Sequence, residues 1–138
     1  MNVDLNTLIS ISATGMRAQA DRMRTLAENI ANSSTTGASP GADPYRRKIP
    51  VFQQVLDKEM GVKIVKSAKP VFDNSDFPVR FDPSHPAADA RGYVKLPNVQ
   101  GLMETVDMQQ AQRSYEANLT VIGEARSMIS RTIDLLRA

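Results

Sequence analysis

Apolar side chains recur at alternating spacings of four and three along the first thirty residues. Leu5, Ile9, Ser12, Met16, Gln19, Met23, Leu26 and Ile30 keep this rhythm, and six of the eight are apolar. Leu8, Ile11, Ala20, Ala27 and Ala31 widen the stripe, while Arg17, Asp21, Arg22, Arg24 and Glu28 mostly mark the other side. Residues three and four apart stack on one side of a helix, so the pattern predicts an amphipathic helix with a heptad-like face. Asp4 stands where an N-cap or first-turn acid belongs. The same rhythm returns at the other end through Met108, Gln112, Tyr115, Leu119, Ile122, Arg126, Ile129, Ile133 and Leu136, seven of nine apolar. This second helix is predicted to begin near Val99–Met103 and to run almost to the last residue.

The middle reads differently. All eight prolines and all four phenylalanines fall between Pro40 and Pro97. Proline is costly inside a helix, so the order is helix, proline-rich middle, helix. Alternating, β-branched stretches at 45–52, 61–67, 77–82 and 92–97 predict short strands, with 83–92 as loop. The expected fold class is α+β: two long terminal helices pairing as a coiled-coil-like layer, with a small irregular β-rich middle domain. The expected segments are 1–36 (N-terminal helix), 37–98 (outer domain with flanking loops) and 99–138 (C-terminal helix).

Charge narrows the partners. Residues 1–39 carry three basic and three acidic groups, 40–97 carry ten and seven, and 98–138 carry four and five. The small positive excess lies in the middle and gives a poor footprint for nucleic acid. There is no cysteine, which excludes disulfides and thiol chemistry. The first twelve residues have neither a basic n-region nor an apolar h-region, so no cleavable secretory signal is expected. No stretch approaches the run of about 20 apolar residues that spans a bilayer.

Two helices packed only on each other leave the flanks of both stripes wet, and the middle is too short for a large core of its own. Ser12, Gly15, Ala20, Gly123 and Ala125 permit close backbone approach. The helices are therefore expected to pack against copies or relatives, with both terminal segments mobile in the isolated chain and helical on assembly.

Candidate chemistry is sparse. His85 is the one histidine, with Asp73, Asp76, Asp82 and Asp89 near it in sequence. It has no helical ligand spacing, and Pro83 and Pro86 fit a turn; Asp and Ser before Pro are turn formers. No catalytic, metal or cofactor site is assigned. Arg46, Arg47 and Lys48 form a basic cluster beside Tyr45 that suits ion pairs or a solvated strand face better than nucleic acid.

Longer stretches carry a resemblance. "ISATGMRAQADRMRTLAENIANSSTTG" (11–37) resembles the N-terminal signature of bacterial flagellar rod and hook proteins, with its NIAN…TTG ending from Asn29 to Gly37. "VDMQQAQRSYEANLTVIGEARSMISRTIDLLR" (106–137) resembles their C-terminal signature, with YEAN at 115–118. "DPYRRKIPVF" (43–52), "FDPSHPAADARGYVKLPNV" (81–99) and "METVDM" (103–108) are similar to the proximal-rod members. There the motif often has Tyr where Phe81 stands and Asp where Ala87 stands.

The resemblance implies a structural subunit, not an enzyme, that needs no cofactor. It would assemble helically with copies of itself and with the rod proteins FlgB, FlgF, FlgG and FliE into a hollow drive shaft that transmits torque and passes exported subunits. It implies the flagellar type III export apparatus as a partner, the surrounding ring as a neighbour, and a place in the basal-body rod within the periplasm. The assembly interface is expected on Leu5, Leu8, Ile9, Met16, Met23, Leu26, Asn29, Ile30 and Asn32 of the first helix. On the second it is expected on Met108, Tyr115, Asn118, Leu119, Ile122, Ile129, Ile133 and Leu136. A soluble adaptor closing a bundle with one partner is the alternative; an enzyme built on Asp82, His85 and Asp89 is the weakest reading.

Overall fold

A computed structural model describes residues 4–137, so the outer ends of the expected 1–36 and 99–138 segments lie outside the described residues. The element order is α1 (Leu5–Ala31), β1 (Lys48–Asp57), β2 (Val62–Phe72), β3 (Val79–Phe81), β4 (Tyr93–Lys95) and α2 (Gly101–Arg137). The fold is α+β, with helices at both ends and two small two-stranded sheets, β1–β2 and β3–β4, in the middle. The first two strands are longer than their sequence signals. β1 and β2 are joined by four residues, which is hairpin length. Asp57 fixes that turn: its Oδ1 accepts the Glu59 and Met60 N–H groups at 3.0 and 3.1 Å.

By contacts the chain divides into two compact units. One comprises α1 through Met23, Val51–Ala68 and α2 from Gln109. In it the helices run side by side in opposite directions. A Cβ on Gly15 would stand 3.1 Å from Asn118 Nδ2, while Arg22 Nη2 donates to Gln110 Oε1 at 3.5 Å. Buried apolar residues here are Ala18, Ile64, Ala111 and Ala125, and Ser12 is buried with them. These are mostly small, so the helices meet closely without a thick core. Ser67 Oγ donates to Asp21 Oδ2 and ties β2 to α1.

The other unit comprises Arg24–Pro50 and Lys69–Met108. The end of α1 is capped by side chains. Asn32 Nδ2 donates to Glu28 O at 2.9 Å, and Ser33 Oγ donates to Ile30 O at 2.8 Å. Asn32 does this with a negative φ, so the left-handed geometry open to an asparagine there is not used. The following loop closes on itself, with Tyr45 N–H donating to Thr35 O at 3.0 Å. A Cβ on Gly37 would lie 2.5 Å from Ala42 O, so the chain needs glycine where the TTG stretch ends. β3 and β4 pair antiparallel with Phe81 opposite Tyr93, and their rings meet edge to face at 5.2 Å. Gly92 makes the turn into β4 at φ 83°. Leu26, Ala87 and Val94 are among the buried apolar side chains of this unit, with Pro44 and Pro97.

Candidate functional site

Helix α2 has one covered line of residues and a second, more open line of larger apolar ones. Glu104, Ala111 and Ala125 are fully covered, and Asn118 is half-buried beside Gly15. These four sit at intervals of seven, one position ahead of Gln112, Leu119 and Arg126 in the apolar rhythm. Alanine on the covered line lets backbones approach, and that leaves larger side chains outside. Met108, Tyr115, Ile122 and Ile129 are half-buried. Leu119, Ile133 and Leu136 are exposed, by 52%, 44% and 82%. On α1, Leu26 and Asn29 are buried, whereas Leu5, Leu8, Ile9, Met16, Met23 and Ile30 are half-buried, as is Asn32 just past its end. The chain covers part of the expected interface itself and leaves the rest open.

Asn29 is the hub of a buried polar network. Its amide nitrogen donates to Lys48 O and Glu104 Oε2, both at 2.8 Å. Its amide oxygen accepts from the Tyr45 hydroxyl and Lys48 N–H, both at 3.0 Å. All four hydrogen-bonding positions of the amide are thus used inside the chain. Burial holds the Tyr45 phenol above its ordinary pKa, so it stays a donor. Glu104, fully buried, also accepts from Arg47 Nε. Arg47 reaches Asp73 Oδ2 at 3.4 Å, and its N–H donates to Asn98 Oδ1 at 2.8 Å. Arg46 donates to Asp73 O at 2.8 Å and lies 4.2 Å over the Phe77 ring. Lys48 pairs with Glu28 at 2.7 Å.

The basic cluster is therefore a fastener. It clamps the start of β1 to the last turn of α1, the first turn of α2 and the segment after β2. In the sequence Asn29 is expected at an interface, Tyr45 stands only as a neighbour of the basic cluster and Asp73 only as an acid near His85; nothing in the sequence pattern joins them to each other or to Glu104 and Asn98. The available signal was an acid in the first turn of α2 with no basic residue nearby in sequence, facing a cluster of three cations elsewhere.

The His85 segment is a set of turns. His85 Nδ1 accepts the Ala87 N–H at 3.1 Å, and Asp82 Oδ1 accepts from Ser84 Oγ at 2.8 Å. Asp89 Oδ1 accepts the Arg91 and Tyr93 N–H groups at 2.8 and 2.9 Å, which holds its carboxyl below the usual range. His85 and Asp89 serve local backbone geometry, and Asp82 bonds the neighbouring Ser84 and Arg80 side chains. Among the described residues no group of three or more His, Cys, Asp or Glu side chains suits a metal ion, and no helix is long and apolar enough to cross a membrane.

Known proteins match both ends and the full length. A family model described as "Flagella basal body rod protein" matches residues 9–38. A second, described as "Flagellar basal body rod FlgEFG protein C-terminal", matches residues 90–135. The chain is 48% identical over 134 residues to a flagellar basal-body rod protein FlgC of Agrobacterium fabrum, covering 97% of this chain and 96% of the relative. It is 37% identical to the protein of that name from Aquifex aeolicus, covering 96% and 97%. For the Bacillus subtilis protein of that name the identity is 35%, covering 92% and 95%.

Proposed function

This chain belongs to the FlgC family of flagellar basal-body rod proteins, and we propose that it works as a structural subunit of the proximal part of the rod. Its role is mechanical, not catalytic. It packs with copies of itself and with other rod proteins, FlgB, FlgF, FlgG and FliE among them, into a hollow helical shaft. The shaft carries torque and lets exported subunits through. The chain reaches the periplasmic rod through the flagellar type III export apparatus without a cleaved signal, and the surrounding ring is its neighbour there.

The observation that carries this reading is the open apolar face of α2. Leu119, Ile133 and Leu136 are exposed along it, Leu136 by 82%. Apolar surface of this kind marks a protein-protein contact. Burying it against neighbours contributes roughly 25 cal/mol per Å². The half-buried residues from Leu5 to Ile30 on α1 and from Met108 to Ile129 on α2 are read as completing the same interface. Where different patches meet through a screw operation the assembly stays open, which yields a tube.

Expression of a tagged copy in a strain lacking the native chain tests the proposal. Swimming should return, and the tag should appear by electron microscopy within the tubular rod of purified basal bodies. A discrete closed oligomer, with no tag in the rod, contradicts it and favours a soluble adaptor.

A further inference from the structure

The outer edge of β1 is open. Successive residues of a strand turn their backbone N–H and C=O groups to opposite edges. Arg47 O accepts Asp73 N–H and Asp57 O accepts Gly61 N–H, both at 2.9 Å, so the odd-numbered residues of β1 face β2. The even-numbered ones face away. Lys48 shows this directly: its N–H donates to Asn29 Oδ1 at 3.0 Å and its C=O accepts from Asn29 Nδ2 at 2.8 Å, as a neighbouring strand would bond it. Pro50, next along this edge, has no N–H to offer. Beyond it stand Phe52, Gln54 and Leu56. Among the described residues this sheet has two strands, so their edge groups face no third.

The two strands of the hairpin are guarded differently. β2 carries Pro70 and the exposed Lys63, Lys66 and Lys69, and it packs on α1 through buried Ile64 and the bond from Ser67 to Asp21. β1 has no charge between Lys48 and Asp57. All five residues of its FQQVL stretch, Phe52 to Leu56, are exposed, Leu56 by 57%. An uncharged edge strand with apolar side chains and no proline is a template for a further strand.

We infer that the added strand is β1 of a second copy, running antiparallel about a two-fold axis at Gln54. The segment is its own complement. Outward groups bond outward groups, so Phe52 pairs with Leu56 of the other copy, Gln54 with Gln54, and Leu56 with Phe52. This register uses every open edge position of both copies, with about six backbone hydrogen bonds, two for each pair. Phe–Leu pairs flank a Gln–Gln pair on one face. Asp57 falls opposite Val51 and Lys58 opposite Pro50, so no like charges meet. Two marginal ribbons become one four-stranded sheet. A strand edge is far smaller than the about 1,200 Å² of a stable interface, so the pair is weak and forms as concentration rises.

The pairing itself does not rest on the rod-subunit reading, but its place in the life of the chain does. A two-fold contact sets its two copies in opposite directions. A shaft whose copies all point one way excludes it, so the pair belongs to the free chain and opens before a copy is incorporated. Gln54→Lys should therefore restore swimming in a strain lacking the native chain. Lost swimming with a variant that melts normally would put this edge inside the shaft and overturn the assignment to the free chain. If an unsubstituted copy fails to enter basal bodies, the rod-subunit reading fails instead.

Sedimentation velocity of the purified full-length chain tests the pairing. Dimer should appear as concentration rises toward about 1 mM, the weak end of specific association. Gln54 is exposed and meets itself across the axis, so Gln54→Lys and Gln54→Glu should each raise the dimer dissociation constant by roughly five- to ten-fold at low salt. An equal mixture of the two variants should recover the loss, since only then do opposite charges meet. The chain has no cysteine, so Gln54→Cys should also cross-link to itself through a short bis-maleimide, well above Lys66→Cys on the guarded strand. A chain that stays monomeric at about 1 mM overturns the inference. So does association that Gln54→Lys leaves unchanged, as when copies meet through the open face of α2, or a loss that the mixture does not recover.

Discussion

Replacing Asn29 by alanine removes two donors and two acceptors from a buried position. Glu104 Oε2, Lys48 N–H, Lys48 O and the Tyr45 hydroxyl each lose a partner. A buried group left unsatisfied costs about 1–3 kcal/mol. Glu104 is fully buried but keeps Arg47, while Lys48 and Tyr45 are half-buried and can recruit water, so the low end applies to each. The expected loss is about 3–5 kcal/mol, against a typical total of about 5–15 kcal/mol. At roughly 3 °C per kcal/mol for a chain of this length, the thermal midpoint should drop by about 9–15 °C. Asn29→Asp keeps the shape but sets a second carboxylate against Glu104, and should cost at least as much.

Urea titration of the full chain, followed by far-ultraviolet circular dichroism, measures the loss as a lower midpoint at unchanged slope. Asn32→Ala is the control. That amide serves only the half-exposed end of α1, through Glu28 O and Thr35 Oγ1, and should cost about 1 kcal/mol or less. A double-mutant cycle with Glu104→Ala should show a coupling of about 1–3 kcal/mol. If Asn29→Ala costs less than about 1 kcal/mol, or is additive with Glu104→Ala, the network is not what joins these segments.

Three further predictions follow the same logic. Gly37→Ala puts a Cβ against the Ala42 carbonyl, where backbone must move, and should cost about 1–3 kcal/mol by the same titration; Gly41→Ala is not a control, because its φ is 73°. Hydrogen bonds from Ser75 to Asp73, and from Tyr93 and Arg91 to Asp89, depress both carboxyl pKa values. Their stabilisation is therefore complete above the ordinary carboxylate value of about 3.9 and is lost as pH falls through the depressed folded values; melting curves should hold steady at higher pH and fall below about pH 4, less steeply in Asp89→Asn. In the isolated chain, amide hydrogen exchange should be fast over residues 130–137, all exposed, and slow around Asn29 and Glu104; strong protection over 130–137 would contradict the idea that the C-terminal end awaits its neighbours.

The sequence disclosed the elements well because periodicity and proline placement act locally. The Leu5–Ile30 rhythm produces α1, and Pro97–Asn98 sets the start of α2 within the expected window. The covered line of α2 was harder to read. Ala111 and Ala125 are weakly apolar beside Leu119 and Ile133, so a hydrophobicity rhythm follows the larger side chains, while close helix packing selects the smaller ones. Least legible was the Asn29 network. It joins residues separated by 16, 19 and 75 positions, and no local rule gives the pairing of an amide with a carboxylate that far away. The NIAN resemblance marked Asn29 as part of a helix end, but only the three-dimensional arrangement shows what its amide holds.

The central claim is that the apolar face left open on α2 is an assembly surface. Ile133→Arg tests it most directly, because Ile133 is exposed and its replacement should leave the isolated chain within about 0.5 kcal/mol of the parent. Quantifying the tagged chain in purified basal bodies should then show it absent or strongly depleted, with swimming lost, although the purified protein melts normally. Wild-type amounts of the variant in basal bodies of swimming cells would contradict the account.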